Sequence, residues 1–319
     1  DKTPLSCKTQ RGFSLGFNYN FSLELLQGLF FLYISNFLTR FLFVSPTPNS
    51  CPKKRSSMSE TLQLEQLTES LQQLLGESLF AIYLYGSAVD GGLGPESDLD
   101  VLVVVNQALT LHQRQQLTET LLKISYPIGA AQRPLEVTIV LKEQILSGSY
   151  PLSYELQFGE WLREELNQGA LLRAHTDPDL SILLKKAQMH HRSLLGPSLT
   201  QWSTAIPEQH LWQAMADTYP SIVAHWDEDA DERNQILALC RIYFSLITNE
   251  IVPKDQAAHW VIAQLPSLHQ PILQRMIQEY KGEIRKQNWQ QQHQALGPVV
   301  DFLSSKIDEQ FNKKSSLIK

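Results

Sequence analysis

The chain is nearly without cysteine. Cys7, Cys51 and Cys240 are the only three in 319 residues, and only Cys240 lies beyond residue 57. That excludes a disulfide framework in the body of the protein and fits a reducing compartment, so a cytoplasmic location is expected. Zinc-ligand spacing is also lacking: the nine histidines have no Cys or His partners at suitable intervals, and the adjacent His190 and His191 would point about 100° apart on a helix. Internal repeats and long low-complexity tracts are absent. Positive charge is scarce where it would matter for nucleic acid. Residues 1–57 hold seven lysines and arginines against two acidic residues, so of the 27 basic and 33 acidic side chains the remainder keeps 20 and 31. An acidic body of that kind disfavours a nucleic-acid partner and favours a cationic one.

Long apolar runs are confined to the first segment, where "FSLELLQGLFFLYISNFLTRFLFV" spans Phe21 to Val44. Glu24 and Arg40 interrupt it and no basic cluster precedes it, which argues against a spanning helix or an export signal. Met58 is the first methionine and all recognisable patterning follows it, so residues 1–57 are expected to be an N-terminal extension read through from upstream sequence. No membrane association is expected for residues 58–319.

What is present after Met58 alternates strands with helices. Leu64, Leu67, Leu71 and Leu74 recur at helical spacing before Gly76, "LFAIYLY" reads as a buried strand, and a short helix is expected from Ser87. "DLDVLVVV" is a second strand, "LTLHQRQQLTETLLKIS" a helix with Leu117, Leu121, Leu122 and Ile124 inward, and "PLEVTIVL" a third strand. This predicts a sheet with helices packed on it. From Tyr154 onward the spacing predicts helices throughout, in "YELQFGEWLREEL", "DLSILLKKAQMHHRSLL" and five further stretches. A boundary is expected near Ile206-Pro207, giving units 58–206 and 207–319.

Chemistry concentrates in "LYGSAVDGGLGPESDLDVLVVV". Asp98 and Asp100 alternate onto one strand face about 7 Å apart, with Leu102 and Val104 continuing that face and Leu99, Val101, Val103 and Val105 filling the other. Two close carboxylates need a cation, and hard oxygen ligands suit Mg²⁺. Gly86 and Ser87 stand where a strand turns into a helix, which lets a phosphate approach the backbone closely. Glu136, on a neighbouring strand, supplies a third carboxylate able to accept a hydroxyl proton. Together these groups form a workable apparatus for nucleotidyl transfer.

At these residues the sequence resembles the nucleotidyltransferase superfamily, with Gly-Ser followed by Asp-x-Asp. More narrowly it resembles the aminoglycoside adenylyltransferases that modify streptomycin and spectinomycin, through "YGSAVDGGL", "SDLDVLVVV", "RPLEVTIV", "FGEWLREE", "DPDLSILLKKA", "DERNQILALCRIYFSLITNEIVPKDQAAHW" and "EYKGE" in order. The resemblance implies an α+β fold: a polymerase-beta-like nucleotidyltransferase domain with a mixed sheet, then an all-α helical bundle that binds substrate. It implies ATP and Mg²⁺ as cofactors and an aminoglycoside or aminocyclitol as small-molecule partner; a monomer is expected, although the sequence does not fix the oligomeric state. Carried over by position, Gly86, Ser87 and Ser97 would bind the triphosphate, Asp98 and Asp100 would hold the metal, and Glu136 would be the base. Lys254 and Tyr280 would reach the nucleotide from the helical domain, and Trp161, Asp227 and Asp231 would face the drug. In "SIVAHWDEDADERN" Asp227 stands at the aspartate position of members acting on both drugs, but their tryptophan position falls on Ile222. Trp226 lies four residues later and could substitute in a reshaped loop. Spectinomycin is therefore the expected acceptor and streptomycin stays open. The rivals are a different acceptor, or a nucleotide-binding module without catalysis.

Overall fold

A computed structural model describes residues 57–228 and 231–317. The apolar run and the expected read-through segment lie outside the described residues. Helix α1 (Ser57–Leu75) leads through a single 3-10 turn into β1 (Leu79–Tyr85), α2 (Ser87–Asp90) and β2 (Leu99–Val105). There follow α3 (Leu111–Ile124), β3 (Leu135–Leu141), α4 (Lys142–Ser147), β4 (Leu152–Tyr154), β5 (Leu156–Phe158), α5 (Arg163–Asn167) and β6 (His175–Asp177). Then come α6 (Asp179–Met189), β7 (Arg192–Leu195) and α7 (Leu199–Trp202). Beyond Pro207 the chain is helical: α8 (Glu208–His225), α9 (Glu232–Thr248), α10 (Lys254–Ile262), α11 (Gln270–Tyr280) and α12 (His293–Leu317). None of the described helices is long and apolar enough to cross a membrane.

The main sheet has the order β5-β3-β2-β1-β7 and is mixed: β2 and β3 run parallel, and the other pairs antiparallel. The parallel pair needs a crossover, which α3 supplies; a reciprocal cap between Thr110 and Gln113 fixes where that helix starts. Strand alternation sorts the apolar residues as the sequence suggests. Leu99, Val101, Val103 and Val105 meet Leu64, Leu67, Leu71 and Leu75 of α1 together with Leu117, Leu121 and Ile124 of α3. Leu122, expected inward, is only half-buried. Leu102 and Val104 face the other way, into one continuous core with α6 and the helices beyond Pro207. Each such side chain, once buried, contributes roughly 1.5–3 kcal/mol of transfer free energy.

Two helical expectations are corrected. "YELQFGEWLREEL" is not one helix: Leu156 and Phe158 pair with Ile139 and Val137 at the sheet's edge before a 3-10 turn at Glu160–Leu162 and the short α5. Over so few residues the apolar positions fit either period, and pairing with the free edge of β3 decides it. Likewise "DLSILLKKAQMHHRSLL" leaves its helix at Met189, and Arg192–Leu195 become β7, which closes the edge of β1.

Candidate active site

The register of β2 and β3 sets Asp100 beside Glu136, and Tyr85 of β1 lies opposite Asp100 on the other side. Asp98 precedes β2 by one residue and faces the same cleft, a cavity of about 310 Å³ lined also by Ser87, Ser97, Lys254 and Tyr280. Gly86 is required at the end of β1. Its φ is 69°, and a Cβ there would lie 2.1 Å from Asp100 Oδ2. The same tight turn lets the Ser87 backbone N–H donate to the Asp100 carboxylate. Ser97 sits in a second turn, where its Oγ accepts from the Gly94 N–H at 2.9 Å. Its own hydroxyl proton thus remains free for an oxygen in the cleft.

Cations complete the opposite side. Lys186 comes from α6, Arg233 and Arg241 from α9, and Lys254 opens α10; all four line the cleft. Lys186 also lies over the Tyr85 ring at 5.5 Å from its centroid. Sequence reasoning gave Lys186, Arg233 and Arg241 no role. Lys186 stands inside "DPDLSILLKKA" and the arginines inside "DERNQILALCRIYFSLIT", so the matched motifs marked the segments, but nothing in helical spacing separated these side chains from ordinary surface charge.

Electrostatically the sheet rim is under strain. Burial first, then the neighbouring Asp100 and Glu160, push the Asp98 carboxyl up to about 7. Burial, Asp100 and Asp98 hold Glu136 well above the usual carboxylate range. Asp100 is raised by burial, opposed by Lys186, Lys254, the Ser87 N–H and Arg241. Lys254 is pushed down to about 8 by burial and by Arg241. A second carboxylate pair, Asp177 and Asp179, lines the same cleft and is raised to about 6 and about 7, in both cases chiefly by burial. Three carboxylates that repel one another in a water-poor cleft are arranged for a ligand that brings positive charge.

The structure thus brings together Gly86, Ser87, Ser97, Asp98, Asp100, Glu136, Lys254 and Tyr280. The residues expected to face a drug are not gathered there. Trp161 is absent from the cleft lining and packs with the core on the α1/α3 side, its ring so close over Gly159 that a Cβ there would lie 2.1 Å away. Asp227 is exposed after α8 and does not line the cleft. Asp231 is buried behind the lining, accepting from Asn234 Nδ2 at 2.6 Å and from Gln235 Nε2 at 3.4 Å, and burial raises it to about 7. Trp226 does not take the place of the displaced tryptophan: it packs edge-on against His293 at 5.3 Å, while Ile222 lines the cleft.

A mixed sheet bearing a Gly-Ser turn, an Asp-x-Asp strand and a third carboxylate on the adjoining strand defines a nucleotidyltransferase unit, and residues 64–155 match the family model described as nucleotidyltransferase domain. Residues 203–306 match the model described as aminoglycoside adenylyltransferase, C-terminal domain. An aminoglycoside (3'')(9) adenylyltransferase of Klebsiella pneumoniae is 41% identical over 223 residues, 69% of this chain and 85% of the relative. A spectinomycin 9-adenylyltransferase of Staphylococcus aureus is 36% identical over 252 residues, 78% and 96% of the respective lengths. Among solved structures, a spectinomycin adenylyltransferase from Enterococcus faecialis with ATP and spectinomycin superposes with a TM-score of 0.73 at 28% identity, covering 78% of this chain and 99% of that one. The chain belongs to the aminoglycoside adenylyltransferase family.

Proposed function

We propose that this chain transfers AMP from ATP to a hydroxyl of spectinomycin with release of pyrophosphate, inactivating the drug. The observation that carries the reading is the meeting of Asp100 and Glu136 on adjoining strands, with Asp98 just ahead of β2, in one cleft with Ser87, Ser97 and Lys254. Glu136 takes the proton from the acceptor hydroxyl. The oxygen then bonds to the α-phosphorus as the bond to the bridging oxygen breaks, and the electron pair leaves on pyrophosphate. A carboxyl raised by its surroundings is a stronger proton acceptor than an exposed one, provided cations keep it ionised; Lys186 and Lys254 act in that direction. Ser87, Ser97 and Lys254 bind the triphosphate, and Tyr280 flanks the nucleotide.

Asp98 and Asp100 would hold Mg²⁺. The fit rests on two hard-oxygen ligands in a cleft where neither carboxylate is easily ionised alone. Among the described residues no group of three or more His, Cys, Asp or Glu side chains is placed to hold a metal ion by itself, so water and phosphate would supply the remaining ligands. When bound, the ion supplies Lewis acidity at the phosphate oxygens and neutralises the aspartate pair.

The unit 58–206 supplies the chemistry and 207–319 the facing wall; because Asp98 and Lys254 line one cleft of one chain, a monomer suffices. The absence of disulfide-forming cysteines in the body supports a cytoplasmic setting, where ATP is available. Ile222 in the cleft and Trp226 packed outside it favour spectinomycin over streptomycin as acceptor. Pyrophosphate release by the purified chain with ATP and Mg²⁺ tests the reading in three arms. Stimulation by spectinomycin and little by streptomycin is expected; no stimulation by either drug would contradict the acceptor assignment.

A further inference from the structure

The turn at residues 94–97, which carries Ser97 and leads into Asp98, is gripped from both sides. From within its own unit, Arg133 donates through Nη1 to the carbonyls of Gly94 and Ser97, both at 2.9 Å, and through Nε to Glu60 at 2.5 Å. From the helical unit, Arg233 donates through Nη2 to Glu96 at 2.8 Å and through Nη1 to Glu279 at 2.9 Å. Glu279 is itself anchored, accepting from Trp289 Nε1 at 2.8 Å and from the Gln287 N–H at 3.0 Å. The next residue, Tyr280, lines the cleft with its ring 6.0 Å from the Arg233 guanidinium.

Backbone contact follows the same line. A Cβ on Gly94 would lie 3.0 Å from the Tyr280 carbonyl oxygen, and one on Gly282, whose φ is 74°, would lie 2.3 Å from Pro95 Cγ. The turn and the end of α11 therefore approach more closely than side chains permit, and Arg233 is buried at that seam. The link Trp289, Glu279, Arg233, Glu96 runs from the helical bundle to the residue adjoining Ser97.

We infer that Arg233 is a positioning residue for the nucleotide: by holding Glu96 and Glu279 at once it sets Ser97 on one unit and Tyr280 on the other at the spacing ATP needs. This rests on the reading of the cleft as an ATP site. Arg233 is buried between two carboxylates whose charge it offsets; removing it leaves Glu279 with only the neutral donors Trp289 and Gln287, and Glu96 with only the exposed Lys286 at 3.6 Å, so no charge pair ties the turn to α11.

Calorimetric binding of Mg²⁺-ATP without acceptor, with steady-state kinetics beside it, tests the inference on the full chain. Arg233→Met is expected to weaken ATP binding and raise the ATP KM by about tenfold or more, as for loss of a buried charge pair. The spectinomycin KM and the kcat at saturating ATP should stay within about threefold. Arg233→Lys, which keeps the charge but cannot fork to both carboxylates, should recover part of the affinity. Should Arg233→Met fail to fold, Glu96→Gln keeps the Arg233–Glu279 pair and takes the charge out of the links from Glu96 to Arg233 and Lys286; it should raise the ATP KM in the same selective way. An ATP affinity in the Arg233→Met and Glu96→Gln variants within twofold of wild type, or equal losses for both substrates, would overturn the inference. A wild-type chain that binds no ATP would instead overturn the reading on which it rests.

Discussion

The sheet wall and the helical wall of the cleft are built by different means. Asp100 and Glu136 stand on neighbouring strands, where backbone pairing puts one beside the other, and Asp98 lies one residue ahead of β2. Arg233, Arg241 and Lys254 reach the same space from α9 and α10, and their places depend on how a whole bundle packs onto the sheet's other face. The acidic wall is thus a local product of register, and the basic wall a tertiary product of docking. Strand register fixes the spacing on the first wall, while the second is set by contacts between helix and turn such as the Arg233 seam.

That difference also decides how much could be read in advance. Asp98 and Asp100 announce themselves by alternation within an apolar run, and Glu136 by being the one carboxylate in the next strand. Leu102 and Val104 fall on the carboxylate side and Val101, Val103 and Val105 on the other, as alternation requires. No comparable rule reaches Lys186 or Arg241, because a cation on a helix looks the same whether it faces water or a cleft. Trp161 and Trp226 mark a second limit. The family motif placed Trp161 by position and offered Trp226 only as a substitute four residues past the tryptophan position, but one ring packs with the core on the α1/α3 side and the other packs on His293. The β5 and β7 strands escaped for a third reason: short edge strands owe their form to the open edge beside them.

Breaking the sheet wall should have the largest effect. Asp100→Asn removes a charge that the Ser87 N–H, Lys186 and Lys254 all face, so Mg²⁺-dependent turnover should fall by about 10³-fold or more, as when a designed charge contact in the transition state is lost. Turnover within tenfold of wild type would place the metal elsewhere. The helical wall should be less costly to break: Lys254→Met is expected to lower kcat/KM for ATP by about 10²-fold, with spectinomycin binding nearly unchanged in calorimetry.

Buried carboxylates of both units respond to protons in the same sense. In the ligand-free protein Asp98, Asp179 and Asp231 are raised to about 7 and Asp177 to about 6. The folded chain therefore binds more protons than the unfolded one between about pH 4 and 7, and stability falls as pH rises through that window. Denaturant unfolding should show the ligand-free protein more stable near pH 5.5 than near pH 8 by about 1 kcal/mol or more. The opposite slope would mean these carboxylates are neutralised by their cationic neighbours already. The smallest effect is expected for Trp226→Ala. Its ring contacts His293 rather than the cleft, so spectinomycin turnover should change by less than about threefold while stability drops by about 1 kcal/mol. A loss of drug turnover without loss of stability would bring Trp226 back into the substrate site.

The proposed proton transfer depends on Glu136, the group that register places beside Asp100. Single-turnover AMP transfer to spectinomycin by the Glu136→Gln variant, with its Mg²⁺-ATP affinity measured on the same preparation, tests that claim most directly. Unchanged ATP affinity with transfer slowed by about 10²–10⁴-fold is the predicted result, the range expected for loss of a general base. Transfer at the wild-type rate would show that the proton leaves by another route and that the carboxylate beside Asp100 is not the base.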